Sequence, residues 1–499
     1  MAQPANDFPQ LVPELENRTL WTFLGFFGPG AIIACVTIGS GETVFASRGG
    51  AIYGYTMVWC FVAGALCKGV QLYSGSRFIT LTGRGPLQSW MELPGPHGWF
   101  VWFIAIMTCI WMPFWLSGLP LMLGDFSNWV VGIPLPAKDA GPAEVSQFAQ
   151  YGRWWGTMYI LVAILITWLQ SYNFLERVQT VIVGLLLFCM VLAAIVSRPD
   201  WWAMLVGGFV PQLPAYEPWV TQEYPELVGR SPWVEIMVYI GAVGGGTQDY
   251  LGYIGMLREK AWGMLGWPGK SQVGPPEPIN EQPENIARGK RWLLAPQADV
   301  TISFAAILVF TLCFVALGAA ILHPHHIIPS GFKLLIEQSV FLHRLAGDSL
   351  VFQWCIDWTY RTGIFFAFFG TILGAYELFT RTIYECAIAL FPQWEHVPLK
   401  RYRFWTLVYV GLGGLILLWG LGAIGFDPVT IVTPAALVGS VLTCGLWCFA
   451  MLWSDRVHLP KALQMGWLLR LAVFVSGVLL TAGAFIGIYE YLKKLFIGA

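Results

Sequence analysis

Charge is what this chain has least of. Asp, Glu, Lys and Arg make up 11% of its 499 residues, against roughly 25% in an average soluble protein. The net charge is −1, and no basic stripe exists to neutralise phosphates, which argues against nucleic acid as a partner. The cysteines offer neither a CxxC pair nor a zinc spacing. Cys35, Cys60, Cys67, Cys109, Cys189, Cys313, Cys444 and Cys448 stand inside apolar runs, as small core residues do. The first 20 residues hold Asp7, Glu14 and Glu16 but no basic stretch followed by an apolar run, so no cleavable signal peptide is expected. There is also no nucleophile–base pair and no cofactor motif, so neither an enzyme nor a bound cofactor is expected.

Apolar residues fill the space that charge leaves: they are 56% of the chain. Runs near or above the ~20 residues that cross a bilayer occur at 23–47, 55–80, 99–129, 154–172, 178–196, 233–256, 298–322, 362–390, 404–424, 429–453 and 467–492. Evenly spread, they predict one all-α membrane domain over residues 23–499 with about eleven transmembrane helices. The spans must be helical because lipid offers no partner to bare peptide groups. If the tail, residues 1–22, is cytoplasmic, then Arg77, Arg84, Arg177, Arg258, Lys260, Lys270, Arg288, Lys290, Arg291, Lys400, Arg401, Arg403, Arg456 and Lys461 gather on the cytoplasmic side. That bias is the usual one for a cell-membrane (inner-membrane) protein. Trp99, Trp102, Trp154, Trp155, Trp201 and Trp202 cluster near span ends, as interfacial anchors do.

Two loops are long. Residues 262–295 include WPGKSQVGPPEP, too rich in Pro and Gly for a helix, and read as a solvated segment. Residues 323–360 begin HPHH and continue as one or two amphipathic helices. His323, His325 and His326 read as a polar cap on a helix end, with metal binding as the lesser alternative.

Two spans are interrupted. The first carries Gly39, Ser40, Gly41 and Glu42 at its centre; the sixth carries Gly244, Gly245, Gly246, Thr247, Gln248 and Asp249. Glycine costs about 1 kcal/mol against alanine inside a helix, and a carboxylate at mid-membrane at least about 2.5 kcal/mol. One such cluster would suit close helix packing. Two, five spans apart and each followed by a carboxylate, predict helices 1 and 6 broken in a 5+5 inverted repeat. The repeats would cover about 23–196 and 233–424, with extra helices over 429–492. The ten residues just named are then the expected substrate site, with Glu42 and Asp249 as candidate metal ligands.

Several further segments carry a resemblance. They are Gly28-Pro29-Gly30, Gln71 to Gly83 (QLYSGSRFITLTG), Gly132-Ile133-Pro134, Asn173-Phe174-Leu175-Glu176-Arg177, Asp299, and Ser454-Asp455-Arg456. In this pattern the chain resembles the Nramp family of divalent metal transporters, which implies a leucine-transporter-type fold. The family's metal ligands are not reproduced. Gly39, Ser40, Gly41 and Glu42 stand where it has Asp-Pro-Gly-Asn, and Gly245, Gly246 and Thr247 where it has Met-Pro-His. Nor are its proton-relay groups: the third span has no ionisable side chain before Asp125, and the sixth has no histidine.

The remaining oxygen donors suit a hard, partly hydrated divalent cation of the Mg²⁺ kind, without a proton relay. An alternative is a small anionic or zwitterionic solute (an amino acid, a carboxylate or bicarbonate) held by N–H groups at the glycine-rich breaks. A non-transporting sensor or scaffold is the third reading. Glu377 and Arg381, four apart, are expected to pair inside the bundle with Glu385 on the same face. Lys68, mid-span, is expected either to snorkel or to pair with a carboxylate. Nothing in the sequence indicates an oligomeric state.

Overall fold

The structure, a computed structural model, describes residues 7–16, 19–136, 141–228, 231–267, 273, 278–329, 334–337, 339, 350–423 and 428–497. Among them there are helices and no strands. In chain order the long helices are α1 (Pro29–Tyr53), α2 (Val58–Thr82), α3 (Trp99–Val130), α4 (Pro142–Leu169) and α5 (Tyr172–Ser197). Then come the half-length α6 (Pro232–Ala242) and α7 (Thr247–Lys260). They are followed by α8 (Leu294–Leu317), α9 (Leu350–Leu390), α10 (Leu399–Ala423), α11 (Ile431–His458) and α12 (Trp467–Ile497).

Nine helices among the described residues are long and apolar enough to span a membrane. Two further spans complete the expected eleven. One is α2, of 25 residues, made more polar by Lys68, Gln71, Ser74, Ser76 and Arg77. The other is the divided α6–α7. Burial tells which helices sit at the centre. The most apolar stretch of α1 is 100% enclosed, whereas that of α5 is 17% enclosed and faces outward. A polar glycine-rich helix in the middle and an aliphatic one at the rim is the order that lipid imposes.

Both faces of the bundle are tied by ions. On one face the Asp299 carboxylate, at the start of α8, accepts from the N–H groups of Gly28 (2.9 Å) and Gly30 (2.9 Å) and from the Tyr253 hydroxyl (2.7 Å). It thereby caps the entry to α1, whose first N–H groups have no helical partner. Nearby, Lys260 meets Glu176 at 2.6 Å and Arg258 meets Glu385 at 2.6 Å. Glu377 is held by Arg381 at 3.1 Å and by Arg403 at 2.9 Å. The expected Glu377–Arg381 pair therefore forms, and Glu385 pairs with α7 instead. On the opposite face Arg48 reaches Glu235 at 3.4 Å and the Pro329 carbonyl at 2.9 Å.

Two expectations about the loops are corrected. Phe8 is wholly buried, its N–H donates to Asn285 at 2.7 Å, and Trp292 donates to the Pro9 carbonyl at 3.0 Å. The partners lie on a helix, Pro283–Trp292, inside the loop read as solvated; residues 268–272 and 274–277 of that loop lie outside the described residues. The second long loop ends early, because α9 begins at Leu350. At its start, His323 Nδ1 donates to the Ala51 carbonyl (2.9 Å), and the ring lies 3.5 Å from Glu217. His326 meets Glu223 at 2.7 Å and stacks on Trp219 at 4.3 Å. Among the described residues no group of three or more His, Cys, Asp or Glu could hold a metal ion. These histidines act as links between loops.

Replacing Asp299 by alanine leaves two peptide N–H groups and a buried hydroxyl without an acceptor, each a loss of roughly 1–3 kcal/mol. The apparent unfolding temperature of detergent-solubilised Asp299→Ala protein should fall well below that of Tyr253→Phe, which loses one bond. Equal melting of the two variants would refute this assignment.

Candidate functional site

The sixth span breaks where the glycines stand. α6 ends at Ala242, and Gly244 and Gly245 take φ of 73° and 84°. Side chains strongly disfavour that left-handed region. Gly246 is extended, and its N–H is accepted by Asp249 at 2.7 Å as α7 begins. A short acidic side chain placed three residues into a helix in this way satisfies an otherwise orphaned donor and complements the helix dipole.

The first span is interrupted in another manner. Rather than opening, residues Ile38–Ala46 rewind as a π-helix, with Thr43 donating to the Ile38 carbonyl at 2.6 Å. The regular winding is lost as expected, but bare peptide groups are not offered there. π-Helical turns are rare and concentrate at functional sites. The glycines serve approach. A Cβ on Gly39 would strike the Ala367 carbonyl and Thr371 of α9, and one on Gly41 would strike the Ala242 carbonyl at the end of α6. The wide turn of α1 thus rests directly on the break in the sixth span. Glu42, 1% exposed, spans the contact and accepts from the Gly244 N–H at 3.1 Å. The Ser40 side chain lies outside the described residues.

Lys68 of α2 completes the arrangement. It is 0% exposed. Its ammonium donates to the carbonyls of Gly241 at 2.6 Å, Val243 at 2.8 Å and Gly245 at 2.6 Å. An ammonium has three donors, and all three are spent on the peptide oxygens where α6 stops. Neither expectation for Lys68 is met: it does not snorkel, and within 4.0 Å it forms no ion pair among the described residues. The end of a helix, with orphan carbonyls and a negative dipole end, is a better seat than a carboxylate already bonded elsewhere.

The other expected residues converge on the same place. Thr247 accepts from Thr443 of α11 at 2.8 Å. The Gln248 carbonyl accepts from Thr382 of α9, and its amide donates to Asp249 at 3.1 Å. A cavity of about 20 Å³ opens between Thr37, Thr371, Gln248, Asp249 and Ser440, backed by Trp115. A space of that size holds a single water-sized occupant. Gln248 Oε1, Ser440 Oγ and Trp115 Nε1, on residues lining the cavity, are buried without a hydrogen-bond partner, as is Glu42 Oε2 on the other side of the break. Buried polar atoms left unpaired are uncommon and call for an explanation; here three of the four are oxygens and one is an indole N–H. Lys68, Thr37, Thr371 and Ser440 were not among the expected site residues. Lys68 alone announced itself in the sequence, as a charge in mid-span; the other three are small polar residues like many in the chain.

Comparison with known proteins agrees with this geometry. The fold is that of a manganese transporter from Eremococcus coleocola, solved in complex with an aromatic bis-isothiourea substituted compound, with a TM-score of 0.65, 13% identity, and coverage of 98% of this chain and 91% of that one. MhsT in complex with L-phenylalanine gives a TM-score of 0.53 at 13% identity, covering 92% and 98%. At such identities the likeness is one of fold, and that fold is the leucine-transporter type. No curated protein matches the sequence. The model of the family described as natural resistance-associated macrophage protein-like matches residues 30–490. The chain therefore belongs to the Nramp family, and with it to the integral membrane transporters rather than the enzymes.

Proposed function

We propose that this protein is a secondary transporter of a hard divalent cation of the Mg²⁺ kind, bound between α1 and the α6–α7 break by Glu42 and Asp249. The observation that carries this reading is that three of the four unpartnered atoms are oxygens, Glu42 Oε2, Gln248 Oε1 and Ser440 Oγ, against the single N–H of Trp115. Carboxylate, carbonyl and hydroxyl oxygens suit hard ions, whereas thioether and imidazole favour transition metals. The glycines that stand in place of the family's bulkier ligands leave no free space, since Ala367, Thr371 and Ala242 fill it, and the remaining cavity of about 20 Å³ suits an ion largely stripped of its water. The manganese transporter of the same fold supports a metal ion as cargo, while the changed donors point away from manganese.

The rival reading, an anionic or zwitterionic solute, is the weaker one. It needs free N–H groups at the break, and those of Gly244 and Gly246 are already taken by Glu42 and Asp249. The cavity of about 20 Å³ is also far too small for an amino acid. MhsT shares the fold with L-phenylalanine bound, yet its likeness here carries no ligand argument.

Without a titratable relay, the ion moves down its electrochemical gradient. For a divalent ion the membrane potential supplies about 4.6 kcal/mol per 100 mV. We place the face bearing Asp299, Arg258, Lys260 and Arg403 on the cytoplasmic side, since the basic residues gather there and the start of the chain docks beside them through Arg288 and Phe8.

In proteoliposomes, Mg²⁺ uptake should follow an imposed potential and persist when the proton gradient is collapsed. Uptake that stops with the proton gradient would overturn the uncoupled mechanism. Glu42→Gln and Asp249→Asn should each lower uptake at least about tenfold, the effect of losing one charged ligand. If Glu42→Gln matches wild type in both flux and binding, the protein is a sensor or scaffold. In a thermal-shift assay, Mg²⁺ at a hundred times its Kd should stabilise by about 2.7 kcal/mol. Amino acids, small carboxylates and bicarbonate should not; stabilisation by one of these alone would favour the rival reading.

A further inference from the structure

Two carboxylates facing a cation site are expected of a metal transporter; a fully buried lysine on the same break is not, because its charge opposes the cargo. We propose that Lys68 is a resident cation, which takes the seat at the end of α6 whenever the site is empty and yields it as a metal ion arrives. This rests on the cation reading above and deepens it.

Three observations support the assignment. Lys68 is 0% exposed, and a lysine is almost never so fully buried without compensation. Its compensation is peptide oxygen: the carbonyls of Gly241, Val243 and Gly245 surround the ammonium at 2.6–2.8 Å, the kind of oxygen cage a metal ion would use. Finally, Glu42 and Asp249 reach the same few residues from the other side, through the N–H groups of Gly244 and Gly246. Lys68 therefore balances them without pairing with either.

The consequence is a division of labour within the transport cycle. After releasing its ion, the carrier must reorient with the site empty. Two buried carboxylates with no cation nearby would make that step costly. With the ammonium of Lys68 on the carbonyl cage, the empty site keeps a compensating charge and the return becomes accessible. When an ion is present in both directions, the carrier never returns empty, and the step that most needs the lysine is bypassed. Loss of Lys68 therefore costs net uptake far more than exchange of one Mg²⁺ for another. Removing a like charge from beside the site also strengthens metal binding.

The test measures both modes in the same proteoliposomes. Net uptake into Mg²⁺-free vesicles is read by an internal fluorescent indicator. Exchange against internal Mg²⁺ is read with isotopically labelled Mg²⁺ by mass spectrometry. Lys68→Met should lose net uptake by at least about tenfold relative to its own exchange rate, with a tightened Mg²⁺ Kd. Lys68→Arg, which keeps the charge, should hold the wild-type ratio. Lys68→Gln keeps hydrogen-bond donors for the carbonyls but not the charge, so it should follow Lys68→Met, and it serves if the methionine variant does not fold. A wild-type ratio of net uptake to exchange in Lys68→Gln would overturn the proposal and leave the transport reading standing. Absence of both modes in the wild-type protein would instead overturn the transport reading itself.

Discussion

A helix interrupted inside a membrane sets free peptide groups of both signs, and no water is at hand to satisfy them. The architecture of this protein's centre follows from that constraint. Where α6 stops, its carbonyls are taken by the ammonium of Lys68. Where α7 starts, the N–H groups of Gly244 and Gly246 are taken by the carboxylates of Glu42 and Asp249. Each charge sits at the dipole end it complements. The break is thereby stable without cargo, yet every one of its partners is a side chain that can be displaced, unlike the covalently fixed continuation of a helix.

The close approach of α1 depends on the same place. Gly39 and Gly41 let the π-helical turn lie against α9 and the end of α6 without intervening side chains, and only at that distance can Glu42 reach across. The ion pairs on the two faces, Lys260–Glu176 and Arg258–Glu385 on one and Arg48–Glu235 on the other, hold the halves of the divided span from above and below. Of these, Arg48–Glu235 is buried on both sides, and such a pair is expensive to form and costly to leave half-made. The ion pairs define positions sharply, which suits the proposed site, whose oxygens come from three separate helices.

Much of this was legible in the sequence because lipid simplifies the code. Apolar runs mark the spans, a glycine triplet marks the break in the sixth, and a carboxylate after each glycine cluster marks polarity kept for a reason. The number of spans and the division of the sixth could therefore be read directly. The winding of the first span could not. A helix can accommodate Gly39–Glu42 by opening or by widening its turn, and the choice is made by contacts with Ala367 and Ala242 that only the fold creates. Lys68 was visible but unassignable, since its partners are backbone carbonyls that exist as free acceptors only once α6 has ended. The docked start of the chain was hidden for a similar reason. Phe8 stands in a polar stretch, and its pocket is made by residues around Gly289, far along the chain.

The cage around Lys68 is written in peptide oxygens, which every residue carries alike. Changing the side chain at 241, 243 or 245 does not delete an acceptor; it can only shift it. A protein that acquires such a cage has a feature that drifts little under point mutation, while the occupant, a single side chain on a neighbouring helix, can be exchanged in one step. Diversification of cargo around this break therefore has an easy route through position 68 and a hard one through the divided span.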